Sequence, residues 1–348
     1  MTRVVFLIID ALPPRHLSPA VTPTLTHLSE EGASTIGRAV MTSATYPNHA
    51  TFATGVEPLA HGVLANWIVH DGKPTPTQHV GPRVPTIFDA CRAAGRSSAA
   101  VLGDQNLIGV MGAAKADHHW PQDGVLADDV DRDGHGYAAN HEVLPRILEM
   151  LDGDRPDLFV AHINEPDTAA HIYGPDSTEA LESYRDADTC VAQIVEAMRP
   201  TWSDDVLIVV SDHDQEEVDD APIDLYEPVA KLGLSLVPIP EGSAAIVWGD
   251  DETHGKWLDN VDGVTVHAEI SPGIRLVGCA PRRWFAPPKG FLTGPADRGA
   301  HGGERTRSQV AIVGGGHPSA AALAHSLKGR THVEATDWAR IVVGLVSG

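Results

Sequence analysis

Five continuous apolar runs constrain this chain most: 3–9, 97–102 (SSAAVL), 157–163 (DLFVAHI), 206–211 (VLIVVS) and 308–313 (SQVAIV). Each needs cover on both faces, as strands of a helix-flanked parallel sheet have. Helical segments fall between them. Thr22-Pro23 opens one that Gly32 closes, with proline at the first helical position and glycine just past the last. Pro85 opens another through TIFDACRAAG, and Asn140 is placed to cap NHEVLPRILEMLDG. The longest, about 178–199, carries Leu181, Tyr184, Val191, Ile194 and Met198 on or near one stripe, and a last helix covers about 335–346. Alternating strand and helix predicts an α/β fold, a doubly wound α/β/α sandwich with ligands at the carboxyl ends of its strands.

Residues 215–299 break that rhythm with Pro, Gly and short β-like pieces (AAIVWGD, VTVHAEI, IRLVG, KGFLTG). We read them as an inserted cap subdomain that selects the substrate. The core is then 1–214 together with 300–348.

Charge narrows the partners. A formal net charge of -22, with no basic tract, argues against a nucleic acid polymer, because little is available to neutralise phosphates. A small phosphate-bearing substrate remains open, since bound metals can supply positive charge locally. Only six apolar residues, Val4 to Ile9, precede Asp10, too few for a signal-peptide core or a membrane span. The three cysteines, Cys91, Cys190 and Cys279, are far apart and odd in number. Reduced thiols in a cytoplasmic compartment, with no membrane partner, are therefore expected. Oligomeric state is not legible.

The chemistry-bearing residues lie mostly at strand ends. Asp10 directly follows VVFLII, and Asp212-His213 follows VLIVVS. Asp10 alone reads equally as a turn or cap aspartate. Two adjacent ligand-type side chains after a buried strand are harder to explain that way. Asp167 and His171 stand four apart in NEPDTAAHIYGP, so one helical turn puts both on one face, where they can share a metal or simply form an ion pair. His301 lies in the glycine-rich RGAHGGERT. Thr45, in TSATYPNH just before a predicted short helix over 49–54, is the candidate nucleophile, although alone it reads as a turn threonine. A hydroxyl there feels the positive end of the helix dipole, and a neighbouring metal can stabilise its alkoxide. Three Asp, three His and one hydroxyl match what two divalent metals and a nucleophile require.

Together the blocks IIDALPP, TSATYPNHATFATGVEPLAHGVLAN, EPDTAAHIYGP, SDHD and AHGG resemble the alkaline phosphatase superfamily, and most closely its type I phosphodiesterase/nucleotide pyrophosphatase branch. The resemblance covers residues 1–214 and from about 300 onward. It implies that Asp10, Thr45, Asp212 and His213 hold one metal and Asp167, His171 and His301 the second. Thr45 would be the covalent nucleophile and Asn66 the phosphate-oxygen donor. The implied metals are two Zn²⁺, with Mn²⁺ or Fe able to bind similar groups. The implied reaction is an in-line, two-step displacement through a phospho-threonine.

Two positions depart from the family. Asp214-Gln215 replaces the common Gly-Met, and Asp214 adds negative charge beside a metal site in a turn where left-handed backbone is expected. His162 stands where nucleotide-cleaving relatives often carry a base-stacking tyrosine, which makes it the substrate-contact candidate. The leading expectation is a di-zinc phosphodiesterase or pyrophosphatase acting on a small phosphoester. A phosphomonoesterase or phosphonate (C–P) hydrolase is the alternative, and would need cations such as Arg275, Arg282, Arg283 or Lys289 to reach in from the cap. A non-catalytic, metal-stabilised binding protein is the third reading.

Overall fold

The structure, a computed structural model, describes residues 2–219, 222–249, 254–287 and 297–348. Lys289 and the run 289–294 lie outside the described residues. An eight-stranded sheet runs in the order Val333–Glu334, Ala33–Arg38, Ser308–Gly314, Asp205–Val210, Arg3–Ile9, Leu158–Ile163, Ser98–Leu102, His118–Trp120. Ser308–Gly314 is antiparallel to both of its neighbours, and every other pairing in the sheet is parallel. The five apolar runs all lie in this sheet. Three further strands had no comparable signal. Ala33–Arg38 is largely polar and only partly buried, and the other two span just two and three residues.

The central strand shows why its run is continuous. Val4, Phe6 and Ile8 enter one core, with Phe52 and Trp338 from the helices Thr45–Thr54 and Asp337–Ser347. Val5, Leu7 and Ile9 enter the other, with Leu25, Ile147 and Val191 from the helices on the opposite face. Alternate side chains point to opposite faces, so a strand covered on both sides must be apolar throughout. The fold is the expected doubly wound sandwich. At its other end Arg3 donates two hydrogen bonds to the Asp205 carboxylate, at 2.6 and 2.7 Å.

Helix ends differ in detail from the sequence reading. Thr86, not Pro85, caps Ile87–Ala93: its Oγ1 accepts from the Asp89 N–H, and the Asp89 carboxylate takes the Thr86 N–H. Asn140 is the first residue inside Asn140–Asp152 and makes no cap bond; Ala139 precedes it. Ser177 caps the longest helix, Thr178–Met198, through the Ala180 N–H. Among the described residues no helix is long and apolar enough to cross a membrane.

A second, antiparallel sheet is built from Val237–Glu241, Ala244–Trp248, Ile274–Cys279 and Val264–Ser271, in that order. It has its own apolar cluster, including Leu225, Val247, Leu258, Val277 and Phe285. Glu216–Glu217 pairs with Gly299–Ala300, so the chain leaves and rejoins the larger sheet at one place.

His61, away from the chemistry, yields a stability prediction. It is fully buried, its Nδ1 accepts the Val63 N–H, and its Nε2 meets Thr51 Oγ1 at 3.0 Å. Burial, helped by Arg83, lowers its pKa from 6.5 to about 4. Below pH 6.5 the unfolded chain takes up a proton that the folded chain refuses, so this contribution is full above 6.5 and lost as pH falls towards 4. The loss is expected to be roughly 3 kcal/mol. Urea unfolding of wild type and His61→Gln at pH 7 and pH 4.5 checks it. The wild-type difference should shrink in the variant, and an equal difference in both would contradict it.

Candidate active site

The sheet explains how distant residues converge. Arg3–Ile9, Leu158–Ile163 and Asp205–Val210 are parallel, so Asp10, the helix bearing Asp167 and Asp212 emerge at one edge. Ser308–Gly314 runs the opposite way and begins at that edge, which delivers His301 from the segment before it. Ala33–Arg38 ends there too, and feeds the segment leading to Thr45. Ala11 takes a left-handed turn (φ 52°), and its N–H reaches Asp212 Oδ1 at 3.0 Å.

The seven expected residues come together, all buried except the half-buried His171. Asp10, Asp212 and His213 offer ligand atoms mutually within 4.8 Å, as do Asp167, His213 and His301. Thr45 Oγ1 lies 3.1 Å from His213 Nε2, which is 3.2 Å from Asp212 and 3.5 Å from Asp10. Asp167 Oδ1 is 3.4 Å from His171 Nε2 and 3.9 Å from His301 Nε2. The His213 and His301 rings stack at 3.9 Å, which brings the two groups side by side. Thr45 is itself the first residue of its helix, rather than preceding it, and Ala44 is the cap.

Backbone carbonyls set the imidazole tautomers. His213 Nδ1 donates to Asp214 O (3.2 Å) and His171 Nδ1 to Gly299 O (2.9 Å), so both Nε2 lone pairs face the carboxylates. Burial, then His213 and His171, hold His301 well below the ordinary imidazole value. Burial, then Asp212, Asp167 and Asp104, push the Asp10 carboxyl well up. Asp10 Oδ1, Asp212 Oδ2 and His301 Nδ1 are buried without a hydrogen-bond partner. Crowded carboxylates, imidazoles and buried unpartnered oxygens form a donor set that fits a divalent cation.

A cavity of about 390 Å³ opens over these residues. Asp10, Thr45, Asn66, Asp167, His171 and His301 line it on the side of the larger sheet. Trp67, Tyr226, Trp284 and Phe285 supply its aromatic walls. Asn66 Oδ1 has no partner, so its carboxamide is uncommitted.

His162 is a correction. It is fully buried and does not line the cavity, so no base can stack on it. Its Nδ1 lies 3.5 Å from the Asp104 N–H and its Nε2 2.9 Å from Asp10 Oδ2, where it orients the carboxylate from behind. Asp214 differs from expectation too. Its backbone is not left-handed, and its carboxylate pairs with Arg15 at 2.5 Å, which places a counter-charge beside it. Burial raises the Asp214 carboxyl and Arg15 opposes that rise. Gln215 Nε2 donates to Asp167 Oδ1 (2.5 Å) and Asp167 O (3.2 Å), fixing that carboxylate's orientation.

Sequence reasoning missed four residues. His49 Nδ1 bonds Thr45 O at 2.8 Å and lies 3.5 Å from Asp212; its spacing of four from Thr45 was a usable signal. Gln215 was visible only as a departure from the family. Asp104, raised to about 7 by burial, and Glu241, raised to about 8 by burial, line the cavity without any local motif.

Residues 4–270 match the family described as type I phosphodiesterase / nucleotide pyrophosphatase. The chain belongs to this family, on an alkaline phosphatase-like fold. It is 28% identical over 193 residues to venom phosphodiesterase CdcPDE of Crotalus durissus collilineatus, covering 52% of this chain and 22% of that protein. It is 26% identical over 234 residues to an uncharacterised pyrophosphatase/phosphodiesterase of Schizosaccharomyces pombe, covering 61% of this chain and 44% of that protein. The chain therefore spans less than half the length of either relative. Murine ectonucleotide pyrophosphatase/phosphodiesterase 5, solved as an inactive variant with AMP, superposes with a TM-score of 0.76 at 17% identity, over 99% of this chain and 95% of that one. Phosphonoacetate hydrolase of Sinorhizobium meliloti, with phosphonoformate, superposes at 0.73 and 18%, over 99% and 96%. At these identities the likeness concerns the fold.

Proposed function

We propose that this protein is a two-metal phosphoric ester hydrolase of the phosphodiesterase/pyrophosphatase type, with Thr45 as nucleophile. The observation that carries this reading is Thr45 Oγ1, 3.1 Å from His213 Nε2, at the floor of a cavity shared with Asp10, Asp167 and His301. Asp10, Asp212, His213 and Thr45 would hold one metal; Asp167, His171 and His301 would hold the other. The Asp/His donors suit zinc best, with manganese or iron as alternatives. Bound there, the metals would supply Lewis-acid charge at the phosphoryl oxygens and favour deprotonation of a hydroxyl or water.

The chain's own groups do the rest. Thr45 stands at the N-terminus of a ten-residue helix, whose unpaired N–H groups favour negative charge on Oγ1. That oxygen bonds phosphorus while the leaving oxygen departs with its electron pair and takes up a proton. Water then breaks the Thr45–phosphorus bond, so one water is consumed for each alcohol and phosphomonoester formed. Asn66 donates to a non-bridging oxygen, and the aromatic walls keep other water away.

A diester is favoured over a monoester or phosphonoacetate because among the described lining residues none is Lys or Arg. Arg275 pairs with Glu269, Arg282 with Glu217 and Asp219, and Arg283 with Asp262. We read 215–299 as the cap that selects the leaving group. Three buried, unpaired thiols support a reducing, cytoplasmic setting. Rates with bis-p-nitrophenyl phosphate, p-nitrophenyl phosphate and phosphonoacetate test the preference. The diester should lead in kcat/KM by at least about tenfold. A monoester or phosphonoacetate leading by that factor would reverse the assignment.

A further inference from the structure

The turn that carries Asn66 is braced on every side. Thr42 Oγ1 donates to Leu64 O (2.9 Å), Thr77 Oγ1 to Ala65 O (2.7 Å) and the Thr77 N–H to Asn66 O (3.1 Å). The remaining brace comes from far away in the chain. Glu241, at the end of the second-sheet strand Val237–Glu241, accepts the Asn66 N–H through Oε1 at 2.7 Å. Its carboxyl accepts the Trp67 N–H as well. Glu241 is only 4% exposed, and Asn66 is the residue whose uncommitted carboxamide faces the cavity.

The same hairpin end is locked against the His301 segment. The Ser243 N–H donates to His301 O at 2.6 Å, and Ser243 Oγ accepts the Gly303 N–H at 3.1 Å. Two glycines permit this approach. A Cβ on Gly242 would stand 2.3 Å from His301 O, and one on Gly302 would stand 1.8 Å from Glu241 O. The Glu241 backbone is thus held by the His301 segment while its side chain holds Asn66, and little play is left between them.

We propose that Glu241 is a positioning residue, through which the second sheet sets the orientation of Asn66 towards the phosphoryl oxygen. This rests on Asn66 being the oxygen donor. An acceptor at the turn's N–H fixes the peptide plane before Asn66, and hence the direction of its side chain. Burial raises the carboxyl to about 8, so its contribution at neutral pH is that of a hydrogen-bonding group more than of a charge.

A double-mutant cycle on the metal-loaded full chain tests this, with kcat/KM for bis-p-nitrophenyl phosphate as the readout. Asn66→Ala is expected to lose about a hundredfold and Glu241→Ala about tenfold. In the Asn66→Ala background, Glu241→Ala should cost less than about twofold, because the group it positions is gone. Glu241→Gln keeps an acceptor oxygen for the Asn66 N–H and should recover most of the loss, with an unfolding midpoint near that of wild type. The same loss from Glu241→Ala in both backgrounds, or a Glu241→Gln variant as slow as Glu241→Ala, overturns the proposal while leaving Asn66 in place. An Asn66→Ala variant as fast as wild type removes Asn66 from the chemistry, and the proposal with it.

Discussion

Replacing Thr45 by alanine is expected to lower turnover by at least about a thousandfold while leaving metal content unchanged. The two halves separate chemistry from architecture. In the proposed arrangement Thr45 would supply one oxygen to a first site that keeps Asp10, Asp212 and His213, whose ligand atoms lie mutually within 4.8 Å. It contributes nothing to Asp167, His171 and His301. Alanine is a good helix former, and the helix Thr45–Thr54 keeps its cap at Ala44 and its packing through Phe52 and Ala53. Kinetics with the diester, paired with elemental analysis, check both halves. Turnover within about tenfold of wild type would remove Thr45 from the mechanism.

Stripping the metals is the second large effect, and it should reverse the sign of a mutation. Asp10 is buried against Asp212 and Asp167, with its carboxyl pushed well above the ordinary value by burial and those neighbours. Without metal, either keeping that carboxyl charged or protonating it above its ordinary pKa costs folding free energy. Asp10→Asn is then expected to raise the unfolding midpoint of the chelated protein, since it removes like-charge repulsion and keeps an oxygen for His162. With zinc present the same substitution would remove a proposed ligand and should weaken binding by a hundredfold or more, about 3 kcal/mol. Metal saturating at about a thousand times its Kd stabilises the wild type by roughly 4 kcal/mol, so chelation should lower its melting temperature by several degrees and abolish turnover. Thermal melts of both proteins, chelated and zinc-loaded, show the crossing. A variant less stable than wild type in both states would mean that Asp10 is structural.

Residues whose position follows from local periodicity were legible. Asp10 and Asp212 end continuous apolar runs, and a buried strand must deliver the next residue to the sheet edge. Asp167 and His171 are four apart, and Glu165–Tyr173 is the helix that spacing requires. The strand Ala33–Arg38, second from the sheet's edge, was not legible, because a half-exposed strand carries no continuous run. Helix starts slipped by a residue or two: the Thr86 capping box sets one, and at Asn140 the expected cap bond does not form. The partners that tune the site were hidden for another reason. Glu241 meets Asn66 across 175 positions, and Arg15 meets Asp214 across 199, so each contact exists only once the fold has formed. His162 lies in the strand Leu158–Ile163, as expected, but it bonds Asp10 from behind and does not reach the cavity. A one-residue offset on a strand exchanges one face for the other, and no motif records which face a site residue takes.

The most direct test of the covalent threonine route is the stereochemical course at phosphorus. A phosphorothioate diester of known configuration, hydrolysed by the zinc-loaded wild type in ¹⁸O-labelled water, should give the phosphorothioate monoester with configuration retained, because two in-line displacements each invert it. Inversion would mean that water attacks directly, and would contradict the assignment of Thr45 as nucleophile.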